Sequence, residues 1–230
     1  MIKLPLLLMA LGYGLVVWLF SAWRLKRQMD ATSTPLADPR LAPALARLAR
    51  ALELDRIRVN VHEVDPVNGL AAPDGRIFLT RGFLRKLDRG EVTPDELATV
   101  VAHELGHVAL GHARRRLIDF SGQNAIRVVL MGVLGRFIPG VGAWLAHWLA
   151  SLVAARLSRQ DEFEADAWAS ALLVKSGIGT GPQKSLFAKL GRLTGSTGAG
   201  APAWLMSHPK TEARIAAIEA LEARWSIAGR

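Results

Sequence analysis

ELATVVAHELGHVALGH, residues 96–112, sets two histidines four residues apart with a glutamate directly after the first. On a helix, positions i and i+4 lie about 40° apart, so the imidazoles of His103 and His107 leave from one face. Two neutral ring nitrogens so placed reach one zinc ion. Glu104 sits beside them, in position to take a proton from a water on that metal. The competing reading is a solvated helix that carries two histidines and a glutamate by accident. A chain of this composition would show the pattern by chance in roughly 1 in 150 cases, so the surroundings must carry the rest.

Upstream lies a strong helix start. Thr93 is a candidate N-cap, Pro94 suits the first helical position, and Glu96 completes a capping box. Leu97, Val100, Val101, Leu105 and Val108 then surround the histidines with apolar residues, and the helix is predicted to run to the basic turn at Arg114. Apolar surroundings suit a metal site, because a dry environment strengthens metal–ligand and acid–base interactions. His112 lies nine residues after His103, on the opposite side of a continuous helix. It is read as structural rather than as a ligand.

Two histidines leave zinc incomplete, and a hydrolytic site needs a third protein ligand and an open position. SRQDEFEADAWASALL (158–173) is an acidic, amphipathic stretch that supplies one. Glu162 and Asp166 are four apart and can both face the zinc helix. Glu162 would bind the metal, and Asp166 would accept a hydrogen bond from a ligating imidazole and fix its tautomer. Glu164 falls roughly opposite and is expected in solvent. The plain alternative is an ordinary acidic helix start.

Two apolar runs frame this centre. Residues 4–23, LPLLLMALGYGLVVWLFSAW, carry no charge and, at about 1.5 Å per residue, span roughly the hydrocarbon thickness of a bilayer. Trp18 and Trp23 fall toward one end, where interfacial tryptophans belong. An uncleaved anchor is favoured over a signal peptide, because no small-residue cleavage site follows; Phe20 would stand at position −3. A secreted, cleaved form is the alternative. Arg24, Lys26 and Arg27 outnumber Lys3, which places the catalytic side in the cytoplasm, with a single pass through the cell's inner membrane. The second run, 125–157, is interrupted by Arg127, Arg136 and Pro139-Gly140. It must cross a bilayer an even number of times if residues on both of its sides share one metal. Two crossings need about 40 residues, so a buried or membrane-dipping helical hairpin is expected.

The remaining stretches read as a globular domain. Residues 1–29 are the anchor, 30–42 a linker and 43–230 the domain. PALARLARALEL (43–54) has helical spacing, and RIRVNVHEV alternates as a half-buried strand. A strand at about 68–72, a Pro73-Asp74-Gly75 turn and a strand at 76–80 complete a small antiparallel sheet. Helices are expected at 81–87, 182–193 and 211–225, with a flexible Gly/Ser-rich segment at 194–202 that reads equally as a lid or a loop. The chain has no cysteine, so disulfides and thiolate metal sites are excluded. Its net charge of +9 comes from scattered Lys and Arg without interleaved aromatics. That argues against nucleic acid and for contact with membrane lipid.

These motifs together resemble the HtpX-like and CAAX-prenyl-protease-like zinc metallopeptidases. After the zinc helix that family has a serine-arginine followed by E-(F/Y)-x-A-D, matched by Ser158-Arg159, Glu162, Phe163, Ala165 and Asp166. Its hairpin before the zinc helix is matched by NGLAAPDGRIFLTRGFL (68–84), with Gly69 where alanine is usual. A late His208-Pro209 and Arg214 complete the pattern, and the resemblance covers about residues 45–220. It implies a zincin-type α+β domain, predominantly helical, with one Zn2+ held by His103, His107 and Glu162. Glu104 would be the general base and acid, and Asp166 the partner of a ligand imidazole. It further implies that Asn68, Gly69, Leu70, Ala71 and Ala72 form the edge to which a polypeptide substrate adds, that His208 stabilises the oxyanion, and that Arg214 is an ion-pair partner. The expected activity is that of a membrane-anchored zinc endopeptidase, in the setting of envelope quality control. The family's usual paired membrane segments are reduced here. The alternative class is a zinc-containing interaction protein without catalysis. No cleavage preference or oligomeric state is readable.

Overall fold

The computed structural model describes residues 19–20, 23–24, 26–72, 74–112, 142–193 and 211–228. In chain order the elements are β1 (Ser33–Pro35), α1 (Ala42–Ala51), β2 (Val59–His62), β3 (Gly69–Ala71), β4 (Ile77–Thr80), α2 (Arg81–Asp88), α3 (Pro94–Ala109), α4 (Gly142–Lys175), α5 (Gly181–Leu193) and α6 (Thr211–Ala228). The chain divides into two compact units, one of residues 1–33 and 114–153, the other of 34–113 and 154–230. The second holds every described residue that builds the site. Most of the first, including residues 1–18 of the anchor expected at 1–29 and the first half of the apolar run at 125–157, lies outside the described residues. Residues 142–157 are helical and continue without a break into 158–175, so α4 begins well before the predicted start at 158. Among the described residues, no helix is long and apolar enough to cross a membrane.

The sheet is mixed, not antiparallel, with strand order β1-β2-β4-β3. The hairpin is as predicted: β3 and β4 pair antiparallel, with Gly69 opposite Leu79 and Ala71 opposite Ile77. But β4 also pairs with β2, and in parallel, with Val59 opposite Ile77. The cause lies in β4 itself. All four of its residues are buried, and a strand buried on both faces belongs in the interior of a sheet. β3 is shorter and begins on a glycine, and among the described residues it takes the edge, with one side of its main chain unpaired by the sheet. β2 shows the predicted alternation, Val59 and Val61 buried and Asn60 and His62 half-buried. β1 falls within the stretch read as linker, and the Leu36 N–H donates to Val59 O at 2.9 Å.

The apolar stripe of α1 packs Leu48 into a core shared with Ile77, Leu79, Phe83, Leu97, Val101, Leu173, Leu186 and Ile218. α3 runs through the middle of this core, which explains why it is apolar on nearly every side. Its start is the predicted capping box: the Glu96 N–H donates to Thr93 Oγ1 at 3.1 Å and the Thr93 N–H donates to Glu96 Oε2 at 2.8 Å. The other carboxylate oxygen of Glu96 accepts from Ser185 Oγ and Lys189 Nζ, both at 2.6 Å, tying α5 to α3. α5 is also tied to α4, where Ser170 Oγ donates to Gln183 Oε1 at 2.8 Å.

Burial pushes the Glu96 pKa up, but the donors on Lys189, Ser185 and Thr93 outweigh it and hold it below its ordinary value of 4.5. A depressed folded-state pKa gives stability that is present above the unfolded value and is lost as pH falls through the folded one. Glu96→Gln is therefore expected to cost about 1–3 kcal/mol at neutral pH. Urea unfolding of both proteins checks this, and the gap between their midpoints should close as pH drops below 4.5.

Candidate metal centre

α3 and α4 face each other, and their facing side chains form the site. His103 Nε2 and His107 Nε2 stand 3.1 Å apart. Glu162 meets both, Oε2 at 3.3 Å from His103 Nε2 and Oε1 at 3.4 Å from His107 Nε2. The three ligand atoms lie within 4.8 Å of one another, and all three residues are buried. The spacing of the two histidines and the choice of Glu162 over its neighbours thus lead to one point in space.

Asp166 stands behind His103, with Oδ1 2.9 Å from His103 Nδ1. Arg214, from α6, grips the same carboxylate with both arms: Nε donates to Oδ2 at 2.6 Å and Nη2 donates to Oδ1 at 2.7 Å. Its guanidinium is 1% exposed and lies over the Phe187 ring of α5, 4.2 Å from the centroid. Burial raises the Asp166 pKa, but Arg214 and His103 more than offset this and hold it below the ordinary carboxylate range. Arg214 is in turn held protonated by Asp166, then Glu162 and Glu104. For His103, burial disfavours the charged ring, yet the carboxylates of Asp166 and Glu162 prevail and raise its pKa to about 9 in the metal-free protein.

The donor set fits a divalent metal. A carboxylate only accepts, so Asp166 fixes the proton of a neutral His103 on Nδ1 and leaves a lone pair on Nε2. That lone pair faces the Glu162 carboxylate and the second imidazole, a convergence of acceptors that favours a cation. With both imidazoles neutral, as a bound metal requires, three carboxylates among the described residues (Glu104, Glu162, Asp166) stand against one guanidinium (Arg214), a charge of −2 that one divalent ion neutralises. Two imidazoles and one carboxylate at a single buried point form a donor set that suits zinc.

Glu104 is buried beside these three residues and lies against β3. A Cβ placed on Gly69 would stand 3.3 Å from Glu104 Oε1 and 2.5 Å from Val100 Cγ1. The expected base and the first residues of the expected substrate strand are thus in contact, and glycine replaces the family's usual alanine where that alanine would collide with Val100. Asn68 pairs with Thr80 through main-chain and hydroxyl bonds. His208 lies outside the described residues, as does the 194–202 segment.

Three features escape the sequence reading. Gly106, the fourth residue of the motif, is where the two helices touch: a Cβ there would lie 2.9 Å from Ala165 O and 3.2 Å from Ala165 Cα. These are backbone atoms and cannot swing aside. Gly106→Ala is expected to force the helices apart, costing about 1–3 kcal/mol and weakening zinc binding as Glu162 withdraws. Competition with a chelator measures the second effect. The other two features are His112 and Glu164. α3 ends at Ala109, and Gly111, with φ +70°, turns the chain so that His112 comes back beside His107. Glu164 is not simply solvated: Oε2 is 3.3 Å from His112 Nε2.

A sequence model of Peptidase family M48 matches residues 35–222, the greater part of the chain. The chain is 29% identical over 172 residues to Metalloprotease LoiP of Escherichia coli (strain K12), covering 73% of this chain and 66% of that one. It is 29% identical over 179 residues to a Protease HtpX homolog of Chlorobium phaeobacteroides (strain BS1), covering 66% and 57%. To Protease HtpX of Pseudomonas aeruginosa (strain LESB58) it is 27% identical over 248 residues, covering 90% and 82%. The matched part is thus 66% of the first relative's length and 57% of the second's, under two thirds of both. With a buried His103–His107–Glu162 centre inside the matched residues, the chain belongs to Peptidase family M48.

Proposed function

We propose that this chain is a membrane-anchored zinc endopeptidase. The observation that carries this is the meeting of His103, His107 and Glu162 at one buried point, with Glu104 between them and the sheet edge. Zinc, when bound there, supplies a Lewis acid that polarises a peptide carbonyl and acidifies a water. The chain does the rest. His103 and His107 offer Nε2 lone pairs, and Asp166, held by Arg214, keeps the His103 proton on Nδ1. β3 offers its free edge to an extended peptide, which adds as a strand through main-chain hydrogen bonds along Asn68–Ala72. Glu104 takes the proton of the attacking water and returns it to the leaving amine. His208 is the proposed donor to the developing oxyanion, on the strength of the family resemblance.

The relatives named Protease HtpX and Metalloprotease LoiP support hydrolysis of polypeptide; membrane-protein or envelope quality control is the setting proposed from the family resemblance alone. The membrane location is supported by the apolar run at 4–23. At its C-terminal end Leu19, Phe20 and Trp23 are exposed, and the Arg27 guanidinium just past it sits 4.5 Å from the Trp23 ring centroid, a combination suited to a headgroup layer. The catalytic side is proposed to be cytoplasmic.

The test is zinc content measured together with casein cleavage. One zinc per chain and cleavage abolished by chelation are expected of the wild type. Glu162→Ala should lower zinc affinity by tenfold or more, on the order of what losing even a supporting group costs. A Glu162→Ala protein that keeps stoichiometric zinc at the wild-type affinity overturns the ligand assignment.

A further inference from the structure

The proposed chemistry leaves His112 unused, although it is 0% exposed and stands against a ligand. Its Nδ1 lies 2.9 Å from His107 Nδ1. Two ring nitrogens at that separation share one proton, so one donates and the other accepts. The far nitrogen decides which. His112 Nε2 is 3.3 Å from Glu164 Oε2 and 3.7 Å from Asp161 Oδ1. Gln160 Nε2 donates to the other oxygen of Glu164 at 2.9 Å. Carboxylates accept, so His112 Nε2 carries a hydrogen. A neutral His112 then presents a lone pair at Nδ1, the shared proton belongs to His107 Nδ1, and His107 Nε2 is left with its lone pair. That is the nitrogen facing His103 and Glu162.

We infer that His112, anchored by Asp161 and Glu164, is a positioning residue that fixes the tautomer and ring orientation of His107. This rests on the proposal that His107 is a zinc ligand. The arrangement does for His107 what Asp166 does for His103, with one imidazole interposed. Both supports come from α4, so a single helix carries the third ligand and orients the other two.

The rival is a second metal ion, because His112, Asp161 and Glu164 also offer ligand atoms within 4.8 Å of one another. The shared proton decides against it. A metal on His112 Nε2 would place the hydrogen of a neutral ring on Nδ1, aimed at His107 Nδ1. His107 would then have to accept there and carry its own hydrogen on Nε2, where it could not bind zinc. The two metals compete for one tautomeric pair.

The test uses the full-length zinc-loaded protein. Zinc dissociation constants are measured against a competing chelator for wild type, His112→Phe and His112→Asn. Phenylalanine keeps a ring but offers no acceptor, whereas the asparagine carbonyl can accept from His107 Nδ1. Binding about 10–100-fold weaker is expected for His112→Phe, with most of the loss recovered in His112→Asn. Nitrogen-15 spectra of histidine-labelled wild type need no variant, and should show hydrogens on His107 Nδ1 and His112 Nε2. Unchanged affinity in His112→Phe, no recovery in His112→Asn, a hydrogen on His112 Nδ1, or two zinc ions per chain would each overturn the inference. A wild type that binds no zinc removes the functional proposal and this one together. One zinc in wild type with no effect of His112→Phe removes this one alone.

Discussion

Glu104→Gln is expected to lower kcat/KM on casein by about 10²–10⁴-fold, the range that general acid–base catalysis supplies, while zinc remains at one per chain. The substitution keeps the shape of a buried side chain wedged against Gly69 and Val100, so the packing of α3 under β3 should survive. It removes the one function that the proposal assigns to this carboxylate, carrying a proton from water to the leaving amine. Glu104 is not among the three converging residues that are the proposed ligands, so the metal should stay. Loss of one negative charge from a centre of −2 will weaken zinc binding somewhat, and assays at saturating zinc remove that contribution. Paired measurement of zinc stoichiometry and turnover therefore separates three cases. Loss of both means that Glu104 supports the site structurally. Retention of both means that Glu104 is not the general base and that the proposed mechanism is wrong. Retention of zinc with loss of turnover is the result that the geometry requires.

How much of this was legible beforehand depended on how local the signal was. The capping box of Thr93 and Glu96 and the i, i+4 histidines lie within one helix, where 3.6-residue periodicity fixes which side chains are neighbours. Glu162 and Asp166 could be paired with them because an amphipathic helix has one inward face. The alternation of Val59 and Val61 likewise survived unchanged. What failed was non-local. Strand composition reveals a hairpin but not a strand inserted between its neighbours, so β4 was placed beside β3 correctly and its parallel pairing with β2 was missed. The destination of Arg214 could not be read, because nothing near it in sequence says that α6 passes over Phe187 to reach Asp166. His112 was misplaced for a different reason. Its expected position holds only on a continuous helix, and the helix ends at Ala109, where the left-handed Gly111 then turns the chain. Gly106 was in plain view inside the motif, but its role appears only when Ala165 is found against it.

Arg214→Met is the variant expected to cost the most stability. The arginine is 1% exposed and lies in a cluster of buried carboxylates, with both arms on Asp166. Methionine fills much of the same volume over Phe187 but leaves Asp166 buried without its guanidinium. Breaking a buried ion pair from one side costs about 3–5 kcal/mol, because the remaining charge stays desolvated. Urea unfolding of the zinc-free protein should show that loss. The double variant Arg214→Met/Asp166→Asn should recover most of it, since it removes both charges and keeps the shape; failure to recover would mean that Arg214 acts through packing on Phe187 instead. Zinc gives the sign test. In the wild type the ion neutralises a centre of −2, whereas in Arg214→Met the centre carries one more uncompensated negative charge, so zinc relieves a greater repulsion. Saturating zinc should therefore raise the unfolding midpoint of Arg214→Met by more than it raises that of wild type, through preferential binding to the folded state. An equal or smaller rise would mean that the guanidinium holds the ligands in place rather than balancing their charge.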